Sequence, residues 1–409
     1  SAEWAEKGYE LPKFDVEAVK AKTHAEPTWV HFGAGNIFRA FPAAILNDAL
    51  NSGKYDRGVI VAESFDYEII DKAYQPYDNL SLLVCLKSTG DIEKKVIASV
   101  TESLKADYSF GADWARLVEI FQAPSLQMIS FTITEKGYAL RNMKGELMPV
   151  VVSDMENGPK QAHHAMAVMA AMLYARYQAG AMPIAMVSMD NCSHNGDKLY
   201  AAVNAFAKAW TDNGLVEAGF LGYVNDQTKV TFPWSMIDKI TPRPDAKVEA
   251  MLAEDHIGGL DAVVTSKNTY IAPFVNAEEC EYLVIEDAFP NGKPALNKGG
   301  IIFTDRATVD KVEKMKVCTC LNPLHTALAI YGCLLGYTLI SEEMKNPLLK
   351  NMVEVIGYKE GLPVVVNPGI LDPKKFIDTV LQVRVPNPFM PDTPQRIATD
   401  TSQKLAIRF

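Results

Sequence analysis

Basic charge is in short supply: 40 Lys and Arg stand against 50 Asp and Glu, a formal net charge of −10. Nucleic acid and anionic membranes both call for a basic surface, so neither is expected as a partner. Cysteine is scarce too, with six in 409 residues, at 85, 192, 280, 318, 320 and 333 and with no framework spacing. Free thiols in a reducing cytoplasm are the expectation. Cys318 and Cys320 lack the C-x-x-C step and have no second pair, so no metal site is expected and both read as core-facing thiols. No apolar run is long enough to span a bilayer: TALAIYGCLLGYTLI (326–340) reads as a buried core helix. The opening SAEWAEKGYELPKF carries acids and lacks an apolar h-region, which argues against a secretory signal.

What is there is a globular composition, 48% hydrophobic and 22% charged, over a length that suggests two domains. The segments 28–33, 58–64, 80–86, 95–100, 127–134 and 183–189 are short, continuous runs rich in Val, Ile and Leu, as in strands buried on both faces. Helical patterns at 41–50, 112–121 and 160–178 alternate with them. That alternation predicts an α/β, doubly wound, Rossmann-like amino-terminal domain. After TPRPD (241–245) the texture changes: one strand-like run (282–289) is followed by helical patterns from about 306. The expected division is 1–245, dinucleotide-binding, and 246–409, a mainly α-helical substrate domain.

HFGAGNIFRAF (31–41) follows the first strand and enters a helix. Gly33 permits a tight turn and Gly35 lets backbone approach a pyrophosphate, with Asn36, Ile37, Phe38 and Arg39 completing the turn. The third glycine of G-x-G-x-x-G is missing, and Phe38 takes its place, so a purely structural turn is the competing reading. Glu63 ends the second strand where an acid would accept ribose hydroxyls, with Asp66 as the nearby alternative. An acid there repels the extra phosphate of NADP and favours NAD.

Polar clusters close other strands: Thr134 and Glu135 in TITEKGY, Asp190 and Asn191 in MVSMDNCSHNG, and Asp238 in MIDKITP. Asp190 reads as fixing backbone and His194 as orienting its loop. GAGNIFR, TITEKGY, S-x-D-N-x-x-x-N-G (188–196), M-x-D-x-I-T-P (236–242) and E-x-M-K (313–316) occur in that order. Together they resemble the long-chain mannitol dehydrogenase family, from about residue 29 to the end. The resemblance implies metal-independent hydride transfer between NAD(P) and a small-molecule ketose or ketouronate. It assigns Lys316 as the catalytic lysine with Asn322 and His325, and Glu313 to proton exchange with solvent. Asn191, Asp238 and Arg384 would lie at the substrate, together with Lys316 and His325. Family members continue beyond RIATDTSQKLAIRF, so the carboxyl end is expected to be incomplete.

The chemistry suits these residue types. Hydride addition to a ketone leaves charge growing on oxygen, which needs a proton donor and aimed hydrogen-bond donors. Lys316 can give the proton and Asn322 and His325 can hold the oxygen. In the reverse direction oxidation should improve with rising pH. The family spaces this set K-x4-N-x2-H, whereas KVCTCLNPLH is K-x5-N-x2-H. On a regular helix the longer step turns Asn322 roughly 120° from Lys316. Pro323 lacks an N–H and disfavours helix at Asn322. A π-type bulge or break around 318–323 is therefore expected.

The CLNPLH form resembles the fructuronate/mannonate subgroup, with mannitol 2-dehydrogenase and tagaturonate reductase as alternatives. Two readings of other classes are an NAD-dependent glycosidase, which would need a divalent metal, and an NAD-binding protein without catalysis.

Overall fold

The computed structural model describes residues 2–399 and 401–408. Its central sheet has six parallel strands in the order Val100–Lys105, Val59–Glu63, Trp29–Phe32, Met128–Phe131, Ile184–Ser188 and Val230–Thr231. In order of occurrence that is 3-2-1-4-5-6, the dinucleotide-binding arrangement, whose switch point lies beside the first strand. The runs VIVAE, WVHF, MISF and IAMVS are buried throughout. That is why they read as continuous apolar stretches rather than alternating ones. Helices Gly111–Gln122, Ala165–Gln178 and Asn195–Asp212 cover one face, and Pro42–Asn51 packs into the other core. Each fully buried Val, Ile or Leu in these layers stabilises the fold by about 1.5–3 kcal/mol.

Two sequence-assigned strands do not join this sheet. Ser81–Leu86 pairs antiparallel with Ile92–Ile97, in a second sheet completed by Tyr9–Glu10 and Phe274–Glu278. The segment 95–100 divides between the end of that hairpin and the start of Val100–Lys105. Ser81–Leu86 is nearly as buried as a central strand, so its composition resembles one. After residue 245 the chain returns to the amino-terminal half: Phe274–Glu278 pairs with Ser81–Leu86, and Tyr282–Glu286 pairs with Ser235–Asp238 and Ile302–Thr304.

From Arg306 onward the described chain is mainly helical. Asp305 caps Arg306–Met315 by accepting from Thr308 N at 2.9 Å. The helical run Arg306–Leu335 has the length and apolarity of a membrane span by composition; 56% of its most apolar window is buried inside the protein, while Tyr331, Leu334 and Leu335 are exposed, so the expected core helix is buried on one side only. A π-turn at Lys316–Cys320 interrupts it, closed by Leu321 N donating to Lys316 O at 3.1 Å. The chain breaks at Leu321 (φ −128°, ψ −64°), and α-helix resumes at Asn322–Leu335 with Pro323 in its first turn. That first turn is where a missing N–H costs nothing. A further π-turn, Val380–Arg384, follows the helix Pro373–Thr379, capped by Asp372 through Lys374 N at 2.9 Å.

Candidate active site

At the first βα turn Gly33 has φ +108°, and a Cβ there would lie 2.2 Å from Thr132 O, so glycine is required. Gly35 is different: a Cβ on it would meet nothing within 4 Å. The turn therefore presents unobstructed backbone at the carboxyl end of the first strand, which fits a pyrophosphate. The residues after it turn inward. Phe38 is fully buried, its ring stacked on His31 at 4.1 Å. Arg39 is also fully buried, donating to Ala272 O at 2.6 Å and Asn36 Oδ1 at 2.9 Å. Ile37 packs against the same core. The side chains of Phe38 and Arg39 are thus part of the packing, which leaves their backbone for the cofactor contact expected of them. A bulky residue fits the third-glycine position because the His31 ring provides a flat partner. Burial pushes that imidazole down to about 3, so it is neutral, bonded to Ser130 Oγ at 2.6 Å and Thr132 Oγ1 at 2.8 Å.

Glu63 is likewise engaged locally. Its carboxylate accepts from Ala34 N and Phe65 N at 2.8 Å and from Asp66 N at 3.2 Å, tying the first two strand ends together. Burial lifts its pKa above the ordinary value against the pull of those amides. Asp66 accepts from Thr265 Oγ1 at 2.5 Å. Thr134 holds φ +64° and ψ 162°, a strained backbone for a non-glycine residue, and its N–H donates to Asp190 Oδ1 at 2.8 Å. Asp190 also takes Ile133 N and the Tyr138 hydroxyl, fixing backbone between two strand ends. Glu135 is exposed and paired with Lys198. His194 stacks on Trp234 at 4.0 Å and bonds Asp310 at 3.2 Å, orienting its loop.

The remaining residues assemble around a cavity of about 360 Å³ lined by Asn191, Asp238, Lys316, Asn322, His325 and Arg384, with Asp392, Arg396 and Lys404 at its other walls. Lys316 is 3% exposed. Its Nζ donates to Asn191 Oδ1 and to Ile237 O, both at 3.1 Å, and lies 3.4 Å from Asp238 Oδ1. Asp238 accepts from Arg384 Nη1 at 2.6 Å, while Arg384 Nε donates to Glu278 Oε2 at 2.9 Å and its Nη2 also reaches Glu278. Burial alone would raise the Asp238 carboxyl, and the charges of Lys316 and Arg384 overcome it and hold it below the carboxylate range. The two carboxylates correspondingly hold Arg384 well above its ordinary value, against burial. Burial also pushes His325 down to about 4, although Asp392 acts the other way, so its ring is a neutral donor–acceptor at pH 7.

The π-turn is what brings Lys316, Asn322 and His325 onto one cavity despite the extra residue. Of the two neighbouring cysteines, Cys320 is buried, whereas Cys318 is exposed, correcting the expectation that both face the core. Cys318 lines a second cavity of about 650 Å³ with Glu313, and that cavity shares Asn191, Asn322 and Lys404 with the first. Glu278, Asp392 and Arg396 were absent from the sequence reading. Glu278 and Arg384 lie on different elements 106 residues apart, and no local spacing relates them.

Comparison with known proteins agrees with this architecture. The mannitol dehydrogenase Rossmann domain profile matches residues 27–298, and the mannitol dehydrogenase C-terminal domain profile matches 308–409. A D-mannonate oxidoreductase of Thermotoga maritima is 55% identical over 410 residues, covering 100% of this chain and 75% of that protein. A mannitol 2-dehydrogenase of Cereibacter sphaeroides is 30% identical, covering 96% and 76%. The solved mannitol 2-dehydrogenase of Pseudomonas fluorescens, a ternary complex with NAD and D-mannitol, superposes with a TM-score of 0.74 at 25% identity, covering 96% and 74%. Two domain profiles spanning nearly the whole chain, on a fold with the dinucleotide-binding strand order, show that this chain belongs to the mannitol dehydrogenase family.

Proposed function

We propose that the protein is an NAD-dependent oxidoreductase that interconverts D-mannonate and D-fructuronate. The observation that carries the reading is the buried Lys316 ammonium, bonded to Asn191 and beside Asp238, on a cavity that Asn322 and His325 also line. When bound, NADH supplies the hydride that reaches the keto carbon. Lys316 gives a proton to the carbonyl oxygen as it gains charge, and takes it back in the oxidative direction. Asn322 and the neutral His325 donate hydrogen bonds to the same oxygen. Asn191 and Asp238 keep the lysine aimed, and Arg384, anchored on Glu278, keeps Asp238 aimed. Glu313, on the adjoining larger cavity, exchanges protons with solvent water, supplying one to Lys316 during reduction and releasing one during oxidation.

The choice of a sugar acid over a polyol rests on charge. Four cationic side chains line the cavity, Lys316, Arg384, Arg396 and Lys404, against the two carboxylates Asp238 and Asp392. That excess of basic side chains on the cavity lining suits an anionic substrate. The 55% identity to a D-mannonate oxidoreductase, against 30% to a mannitol 2-dehydrogenase, supports the same choice. NAD is preferred to NADP because Glu63 and Asp66 crowd the end of the second strand with negative charge. NADH absorbance followed with fructuronate, tagaturonate and fructose tests the proposal. Fructuronate should give the highest kcat/KM, and a preference for fructose would reverse the substrate choice.

A further inference from the structure

The charged groups around the smaller cavity are not equally available to a ligand. Lys316 is committed to Asn191, Ile237 O and Asp238. Arg384 is 3% exposed, and its Nε, Nη1 and Nη2 all donate to Glu278 or Asp238. Lys404 Nζ donates to Ile397 O at 2.6 Å. Arg396 stands apart: it lies on the short helix Pro394–Ile397 at the open side, its side chain is 67% exposed, and its charge partner is Asp392, one turn back. Asp392 is 8% exposed and lines the same cavity. A guanidinium is the planar fork that a carboxylate matches best, and Asp392 engages Arg396 through Nη2, which leaves the other N–H groups of this exposed side chain for a second acceptor.

Resting on the sugar-acid reading above, we infer that Arg396, and not the buried Arg384, recognises the substrate carboxylate. In the free protein Asp392 holds the guanidinium over the cavity mouth. Asp392 keeps its hydrogen bond from Nη2, and the substrate carboxylate accepts from the other guanidinium N–H groups, with no covalent change. Arg384 acts instead as a positioning residue that fixes Asp238 and through it Lys316.

The test is steady-state reduction of D-fructuronate by wild type, Arg396→Gln and Arg396→Lys, with NADH binding followed by fluorescence as a control for folding. Loss of a charge-assisted contact predicts a KM for fructuronate raised at least about tenfold in Arg396→Gln, with kcat changed far less. Arg396→Lys, which keeps the charge but not the fork, should recover part of that affinity. A KM for Arg396→Gln within twofold of wild type, or a loss confined to kcat, overturns the assignment while leaving the fructuronate reading intact. A wild-type protein that binds NADH but does not turn over fructuronate defeats that reading, and the assignment with it. Should Arg396→Gln fail to bind NADH, the KM of Arg396→Lys decides alone: a value equal to wild type contradicts fork recognition.

Discussion

Asp238 bridges two cations: its Oδ1 lies 3.4 Å from Lys316 Nζ, and its Oδ2 accepts from Arg384 Nη1 at 2.6 Å. One carboxylate at the end of an antiparallel strand thereby joins Lys316, the proposed proton donor, on one π-turn to Arg384 on another. Hydrogen bonds to Asn191 Oδ1 and Ile237 O leave the lysine little freedom. That rigidity is what a proton donor to a developing oxyanion requires.

Replacing the donor should therefore abolish turnover without disturbing the cofactor end. Lys316→Met is expected to lower kcat by about 10³-fold or more, the range for a positioned acid, with NADH affinity unchanged. Stopped-flow absorbance and fluorescence titration measure the two quantities.

The Glu278–Arg384–Asp238 cluster is buried, so removing one member leaves uncompensated charge. Glu278→Gln should destabilise the fold by about 3–5 kcal/mol and lower its Tm. It should also reduce kcat, because Asp238 and Lys316 lose their anchor. A variant with wild-type Tm would contradict the role given to this pair.

Two histidines make the fold acid-sensitive. Burial depresses His31 to about 3 and His325 to about 4, so both are neutral in the fold and the unfolded chain binds protons first. Their contribution is complete above the unfolded value near 6.5 and is lost as pH falls toward the folded values. Each should account for roughly 2 kcal/mol of the stability lost between pH 8 and 4.5. Urea midpoints across that range measure the slope, and His325→Gln should flatten it.

Glu343 has the opposite sign. Its carboxyl is fully buried, neither oxygen has a hydrogen-bond partner among the described residues, and burial pushes its pKa to about 8. A folded value above the unfolded one gives stability that is present below about pH 4.5 and lost as pH rises through 8. Glu343→Met should accordingly be more stable than wild type at pH 8.5, by about 1–3 kcal/mol, with the gap narrowing at pH 5. Thermal melts at the two pH values decide this.

Legibility in the sequence followed local physics. Strands buried on both faces announce themselves as continuous apolar runs, and the four inner strands of the central sheet were readable for that reason, whereas its edge strands Val100–Lys105 and Val230–Thr231 were not. Ser81–Leu86 carries the same signature, yet its burial comes from a partner, Phe274–Glu278, far along the chain. Composition cannot distinguish the two cases. The π-turn was readable because one extra residue and Pro323 together exclude a regular helix that keeps Lys316, Asn322 and His325 on one face. The inward turn of the Phe38 and Arg39 side chains was not readable, because their motif position says where the backbone goes and nothing about which way the side chains turn. The anchoring of Arg384 on Glu278 was invisible, since it joins a sheet edge to a distant helix end.

The central claim, that Lys316 is the proton donor for reduction of a sugar acid, is tested most directly by NADH oxidation with D-fructuronate in wild type and Lys316→Met under identical conditions. Turnover is expected in the wild type and a loss of about 10³-fold or more in the variant, with NADH binding retained. A Lys316→Met protein that reduces fructuronate at a rate near wild type would contradict it.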